Sequence, residues 1–230
     1  MQFIIGGVQK TSLLDFPDKI SAIVFTKGCN FKCGYCHNPQ LLKSGDGIYD
    51  VDAFFDFLKK RQGKIDGVVV TGGEATLQTD LKLFIQKVKE LGFLVKLDTN
   101  GTNPKILKEL IQENLLDYIA MDIKAPLEKY SLIANTSIDI SSIVESIEII
   151  MSSNVDYEFR TTILPSLISK DDFDSIGNLI QGAKRYYLQK FVVQSDILDS
   201  SLKDEKNYTD AELTTIKEKL KKYIQFIDIR

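Results

Sequence analysis

Apolar, β-rich runs alternate with helical patterns from residue 20 almost to the carboxyl end, and this alternation limits the folds open to the chain. The strand candidates are ISAIVF (20–25), GVVVT (67–71), FLVKLD (93–98), DYIAMD (117–122), DYEFRTTI (156–163) and KFVVQ (190–194), with YIQFIDI (223–229) as a further one. Between them, VDAFFDFLKKRQ (51–62), TDLKLFIQKVKELG (79–92), NPKILKELIQEN (103–114), ISSIVESIEIIMSS (140–153), KDDFDSIGNLIQGAKR (170–185) and DAELTTIKEKLKK (210–222) read as helices. Leu81, Phe84, Ile85, Val88 and Leu91, for example, recur at helical spacing. Strands that are nearly continuous apolar runs, separated by helices, pair in parallel and are covered on both faces. The class is therefore α/β with a mostly parallel sheet, either curled toward a barrel or open and doubly wound.

No composition break marks a linker, so residues 1–230 are expected to form a single domain. LLKSGDGIYD (41–50) and the polar stretch SDILDSSLKDEKNYT (195–209) read as surface loops. A net charge of −3 gives no sign of a nucleic-acid partner. No apolar run is long enough for a membrane span, and MQFIIGGVQKTS lacks the pattern of a signal peptide. A cytoplasmic location is the expectation, and in that reducing setting cysteines are not expected to form disulfides.

All three cysteines and the only histidine fall within CNFKCGYCHNP (29–39). Thiolates at this spacing suit zinc or an iron–sulfur cluster. Gly28 and Gly34 give the loop freedom to wrap around such a group. A structural zinc takes four ligands, and His37 follows Cys36 directly, whereas adjacent residues rarely both reach one tetrahedral ion. A four-iron cubane held by Cys29, Cys33 and Cys36 would instead leave one iron open for chemistry.

With that spacing, CNFKCGYC resembles the Cys-x₃-Cys-x₂-Cys signature of the radical S-adenosylmethionine enzymes. The resemblance implies a partial, six-stranded (β/α) barrel, a 4Fe–4S cluster on the three catalytic cysteines, and S-adenosylmethionine on the fourth iron. Tyr35 is implied to pack near the adenine, and Cys36 and His37 to border the cofactor. VVVTGGEATLQ resembles the family's Gly-Gly-Glu motif, which implies that Gly72, Gly73 and Glu74 meet the methionine ammonium.

LDTNG (97–101) and MDIKAP (121–126) resemble the corresponding strand ends of glycyl-radical-enzyme activases. There the positions of Asp98, Thr99 and Asp122 hold a monovalent cation, and the position of Lys124 approaches the cofactor. Arg160 is expected to pair with the cofactor carboxylate, on one strand face with Glu158 and Thr162. These activases often present a histidine on the sixth strand to the adenosine, and this chain has Gln194 and Ser195 in that vicinity. The opening QKTSLLDFPDKIS is similar to that of anaerobic ribonucleoside-triphosphate reductase activating proteins. The implied partners are a glycyl radical enzyme and a flavodoxin- or ferredoxin-type electron donor. The rival readings are a small-molecule radical enzyme similar to 7-carboxy-7-deazaguanine synthase, and a non-enzymatic zinc-binding module.

Overall fold

A computed structural model describes residues 1–192 and 197–230. In chain order its strands are β1 (Ile5–Ser12), β2 (Ser21–Thr26), β3 (Gly67–Gly72), β4 (Leu94–Thr99), β5 (Tyr118–Asp122), β6 (Asp156–Ile163), β7 (Arg185–Lys190) and β8 (Phe226–Ile229). The helices are α1 (Val51–Arg61), α2 (Leu81–Glu90), α3 (Pro104–Gln112), α4 (Tyr130–Ile133), α5 (Ile140–Ser152), α6 (Asp172–Leu179) and α7 (Asp210–Leu220). One sheet carries all eight strands in sequential order. β1 is antiparallel to β2, and every later pair is parallel. Consecutive parallel strands require crossovers, and right-handed crossovers that always step the same way curl the sheet toward a barrel. The expected mostly parallel α/β sheet is present, with β2 to β7 as its six central strands and YIQFIDI contributing β8.

Two expectations need correction. The sixth central strand is RYYLQK, not KFVVQ (190–194): Tyr186 and Leu188 supply its buried alternation, and the chain leaves the sheet at Phe191. Gln194 and Ser195, expected near the adenosine, lie outside the described residues. The second correction is β1, absent from the strand candidates because its glycines and polar side chains mark an edge strand that buries little.

Helix starts follow local chemistry. The Asp50 side chain caps α1 by accepting from the Ala53 amide at 2.8 Å, and Thr209 with Glu212 forms a reciprocal capping box on α7. The apolar stripe of α2, with Leu81, Phe84, Ile85 and Val88 buried, packs with outer-face residues of the sheet such as Val24, Val70, Val95 and Leu97. Among the described residues no helix is long and apolar enough to cross a membrane.

The inner face differs. Phe16, from the β1–β2 connection, joins Ile23, Val69 and Tyr118 in a small separate cluster. Lys96, Asp98, Asp122, Glu158 and Arg160 share that interior, all in ion pairs. Glu158, 1% exposed, is met by the Arg230 guanidinium at 3.0 Å and by the Tyr118 hydroxyl at 3.0 Å. A charged interior remains buried only where each charge has a counter-charge. The sheet thus keeps one apolar face for its helices and one polar face for a site.

Candidate active site

A cavity of about 400 Å³ lies at the carboxyl ends of the central strands, and each cluster and cofactor residue expected from the sequence within the described chain lines it. Cys29, Cys33 and Cys36 come from the β2–α1 connection, Gly72, Gly73 and Glu74 from the end of β3, and Asp98 and Thr99 from the end of β4. Asp122 and Lys124 follow from β5, and Arg160 from β6. Glu158 and Arg160 share the interior face, as the strand alternation predicts, and Thr162 lines the cavity with Arg160.

Close backbone approach builds the cysteine end. The Glu74 amide donates to the Gly28 carbonyl at 2.8 Å, and the Gly73 amide donates to the Thr26 carbonyl at 2.9 Å. A β-carbon on Gly72 would stand 2.2 Å from the Thr26 nitrogen, and Gly72 has a φ of +121°. Glycine is therefore required where the end of β3 lies flush with the start of the cysteine loop. The loop then turns tightly, with the Cys36 amide donating to the Cys33 carbonyl at 3.0 Å.

All three thiols are free. Burial pushes the Cys29 thiol up to about 11, and it raises Cys33 as well. A thiolate in such a place needs positive charge beside it, which bound iron supplies. Among the described residues no three His, Cys, Asp or Glu side chains close on a single ion position. Three of the four irons of a cubane would each take one thiolate, so one loop that supplies three thiols suits a cluster with one iron left open.

Glu74, 1% exposed, ties two strand ends together. Its Oε1 accepts from the Thr76 hydroxyl at 2.6 Å, the Thr99 hydroxyl at 2.7 Å and the Thr76 amide at 3.1 Å. Its Oε2 accepts from the Asn100 amide at 2.6 Å, which leaves that oxygen able to accept again. Burial raises this carboxyl, and the hydrogen bonds offset only part of the rise.

Across the cavity, the Arg160 guanidinium spans two strand-end acids. Nη1 lies 3.1 Å from Asp98 Oδ2, and Nε lies 2.9 Å from Asp122 Oδ1. Lys124 Nζ reaches Asp122 Oδ2 at 2.9 Å, and Lys96 Nζ pairs with Asp98 Oδ1. Burial pushes Asp122 up, but Arg160 and Lys124 outweigh it and hold the carboxyl well below the usual carboxylate range. Asp98 is lowered on the same balance by Arg160 and Lys96. Where the family resemblance implies a monovalent ion between these carboxylates, the structure puts a guanidinium, and Thr99 turns its hydroxyl to Glu74.

The wall near the cysteines is aromatic. Tyr35 is buried beside Cys33, with the Lys124 ammonium 5.8 Å from its ring centre. His37 stacks on Phe191, with ring centres 5.4 Å apart and planes at 13°. The stretch expected to be a polar surface loop (195–209) meets the cysteine loop here: the Asp199 amide donates to the Gly34 carbonyl at 2.8 Å. Sequence reasoning missed Lys96, whose position two residues before Asp98 on one strand was the available signal. It also missed Phe191, whose partner comes from a distant loop.

The sequence profile of the Radical SAM superfamily matches residues 23–181. The Methanocaldococcus jannaschii protein named putative glycyl-radical enzyme activating enzyme MJ1227 is 34% identical, over 100% of this chain and 97% of its own. The pyruvate formate-lyase-activating enzyme of Streptococcus mutans is 32% identical over 53% of this chain and 50% of its own. Among solved structures, Streptococcus suis SuiB bound to S-adenosylmethionine superposes with a TM-score of 0.66 at 13% identity. That match covers 88% of this chain and 48% of SuiB, and it is a likeness of fold. Matched by the superfamily profile over most of its length and by the archaeal protein over all of it, the chain belongs to the Radical SAM superfamily, an enzyme family whose cofactors are a 4Fe–4S cluster and S-adenosylmethionine.

Proposed function

We propose that this chain activates a glycyl radical enzyme by removing a hydrogen atom from a glycine α-carbon of that partner, and that the partner is an anaerobic (class III) ribonucleoside-triphosphate reductase. The observation that carries the reading is the meeting of the LDTNG and MDIKAP strand ends at Arg160, in the cavity that the three thiols line. End-to-end similarity to an archaeal protein named for the same activity supports it. The protein works in this reading as a single domain of the reducing cytoplasm.

Cys29, Cys33 and Cys36 would hold the cluster. Once bound, the cluster and S-adenosylmethionine together supply the one-electron cleavage that yields a hydrogen-abstracting carbon radical. The chain's own contribution is placement. Three cations (Lys96, Lys124 and Arg160) face two carboxylates (Asp98 and Asp122), so the array carries one unit of excess positive charge. That excess suits the carboxylate of the methionine part. Glu74, with an acceptor position still open on Oε2, suits its ammonium. Tyr35 offers an aromatic wall to the adenosine.

Anaerobically reconstituted protein, reduced and mixed with S-adenosylmethionine and the reductase encoded in the same genome, should give a glycine-centred doublet by electron paramagnetic resonance. Changing that glycine to alanine in the reductase should remove the doublet while slow cofactor cleavage continues. If no glycyl radical forms with any such partner, the activase reading fails and a small-molecule substrate takes its place.

A further inference from the structure

Lys96 is a buried cation. It is 2% exposed, and it points into the barrel from the middle of β4. Its neighbours in register are Val69 on β3 and Tyr118 on β5, both members of the apolar inner cluster. An ammonium is kept in such a place only by a counter-charge, and Asp98 Oδ1 provides it.

The four carboxylate oxygens beneath the cofactor site can be followed one by one. Asp98 Oδ1 is taken by Lys96, and Asp98 Oδ2 by Arg160 at 3.1 Å and the Thr71 hydroxyl at 3.4 Å. Asp122 Oδ1 is taken by the Arg160 Nε at 2.9 Å, and Asp122 Oδ2 by Lys124 at 2.9 Å. Each oxygen therefore already touches a cationic side chain. A potassium or sodium ion at this pair would need several of the same oxygens, and it would add a fourth positive charge to three already facing two acids. The donor set does not fit a resident ion.

We propose that Lys96 is a positioning residue that does the work of a monovalent cation. Its ammonium pairs with Oδ1 of Asp98 and leaves Oδ2 to Arg160, which then spans to Asp122. The consequence is S-adenosylmethionine binding that is independent of potassium and sodium. The inference rests on the cofactor assignment and not on the identity of the protein partner.

The test is equilibrium dialysis of S-adenosylmethionine against the cluster-loaded full chain, in potassium chloride and in choline chloride of equal ionic strength. Iron and sulfide content is measured first, so that failure to assemble the cluster is seen separately. Wild-type affinity should differ less than twofold between the two salts, and thallium-205 resonance should show no bound ion at one per chain. Lys96→Met should weaken binding at least tenfold in choline, and potassium should restore most of the loss. In Lys96→Ala, ethylammonium should do the same, by filling the space of the missing side chain. A wild-type affinity that rises fivefold or more with potassium overturns the proposal, as does a stoichiometric thallium signal. So does a Lys96→Met protein that binds like wild type in choline, or a pair of variants in which potassium fails to rescue Lys96→Met and ethylammonium fails to rescue Lys96→Ala, because a packing residue would behave that way. Should the variants not fold, the two wild-type measurements decide alone.

Discussion

Gly73 lies so close to Gly28 that a β-carbon added to it would stand 2.1 Å from the Gly28 carbonyl oxygen. This contact brings the end of β3 against the residue before Cys29, so one missing methyl sets the distance between the Gly-Gly-Glu turn and the first thiol. The obstructing atom is backbone and has no rotamer to escape into.

Gly73→Ala should therefore cost about 2–3 kcal/mol of stability, the range of overpacking in a site that cannot yield. It should also lower cluster incorporation. Gly92→Ala is the control: it has nothing within 4 Å and only its positive φ to pay for, so about 1–2 kcal/mol is expected with cluster content unchanged. Urea denaturation and iron analysis of both variants check the contrast.

Glu74→Gln keeps the shape and reverses part of the hydrogen bonding. Three donors address Oε1 and one addresses Oε2, so either orientation of the amide sets an N–H against an N–H or O–H. The expected loss is about 2–3 kcal/mol, the cost of unsatisfied buried polar groups. S-adenosylmethionine affinity should fall with it, read by dialysis at a temperature where the variant is folded.

Single alanine replacements at Cys29, Cys33 and Cys36 should each take reconstituted protein from about four irons and four sulfides per chain to substoichiometric content. Cofactor cleavage should vanish while the far-ultraviolet circular dichroism stays that of wild type. Normal cleavage by any of the three variants would refute their assignment as cluster ligands.

Asp172 links two connections flanking the sheet, accepting from Lys129 at 2.7 Å and from the Ser169 amide at 2.7 Å. Burial raises its carboxyl, but the bonds from Lys129 and Ser169 prevail and the net direction is downward. A carboxyl lower in the folded than in the unfolded chain stabilises the fold above its unfolded value, about 3.9, and loses that contribution as pH falls through the folded value. Asp172→Asn should therefore cost about 1 kcal/mol at pH 7 and less below pH 4, so the two stability curves converge in acid. Denaturation midpoints from pH 7 to pH 3 measure this.

The alternation of strands and helices and the gathering of three thiols in one loop were legible in the sequence because both are local properties. Periodicity in a window of ten residues reports which face a strand or helix buries, and three thiols within eight positions report a soft ligand set without any knowledge of the fold. The Gly-Gly-Glu turn and the strand-end acids were legible as well, since a parallel sheet sends consecutive carboxyl ends to one rim.

What only the tertiary structure decided depends on partners far apart in the chain. KFVVQ looks more strand-like than RYYLQK, yet Phe191 is apolar because it stacks on His37, a residue 154 positions earlier. β1 buries so little that its pattern is weak, and pairing with β2 is what makes it a strand. The charges are the clearest case. Asp98, Asp122, Lys96, Lys124 and Arg160 can all be read as ionisable from the sequence, but a charge has no local signature of its counter-ion. Strand register, which sets Asp98 beside Ala120 and Asp122 beside Arg160, chooses which cation meets which oxygen. Register is a long-range property of the whole sheet, so it was the fold, not the residue list, that turned five charged side chains into one array.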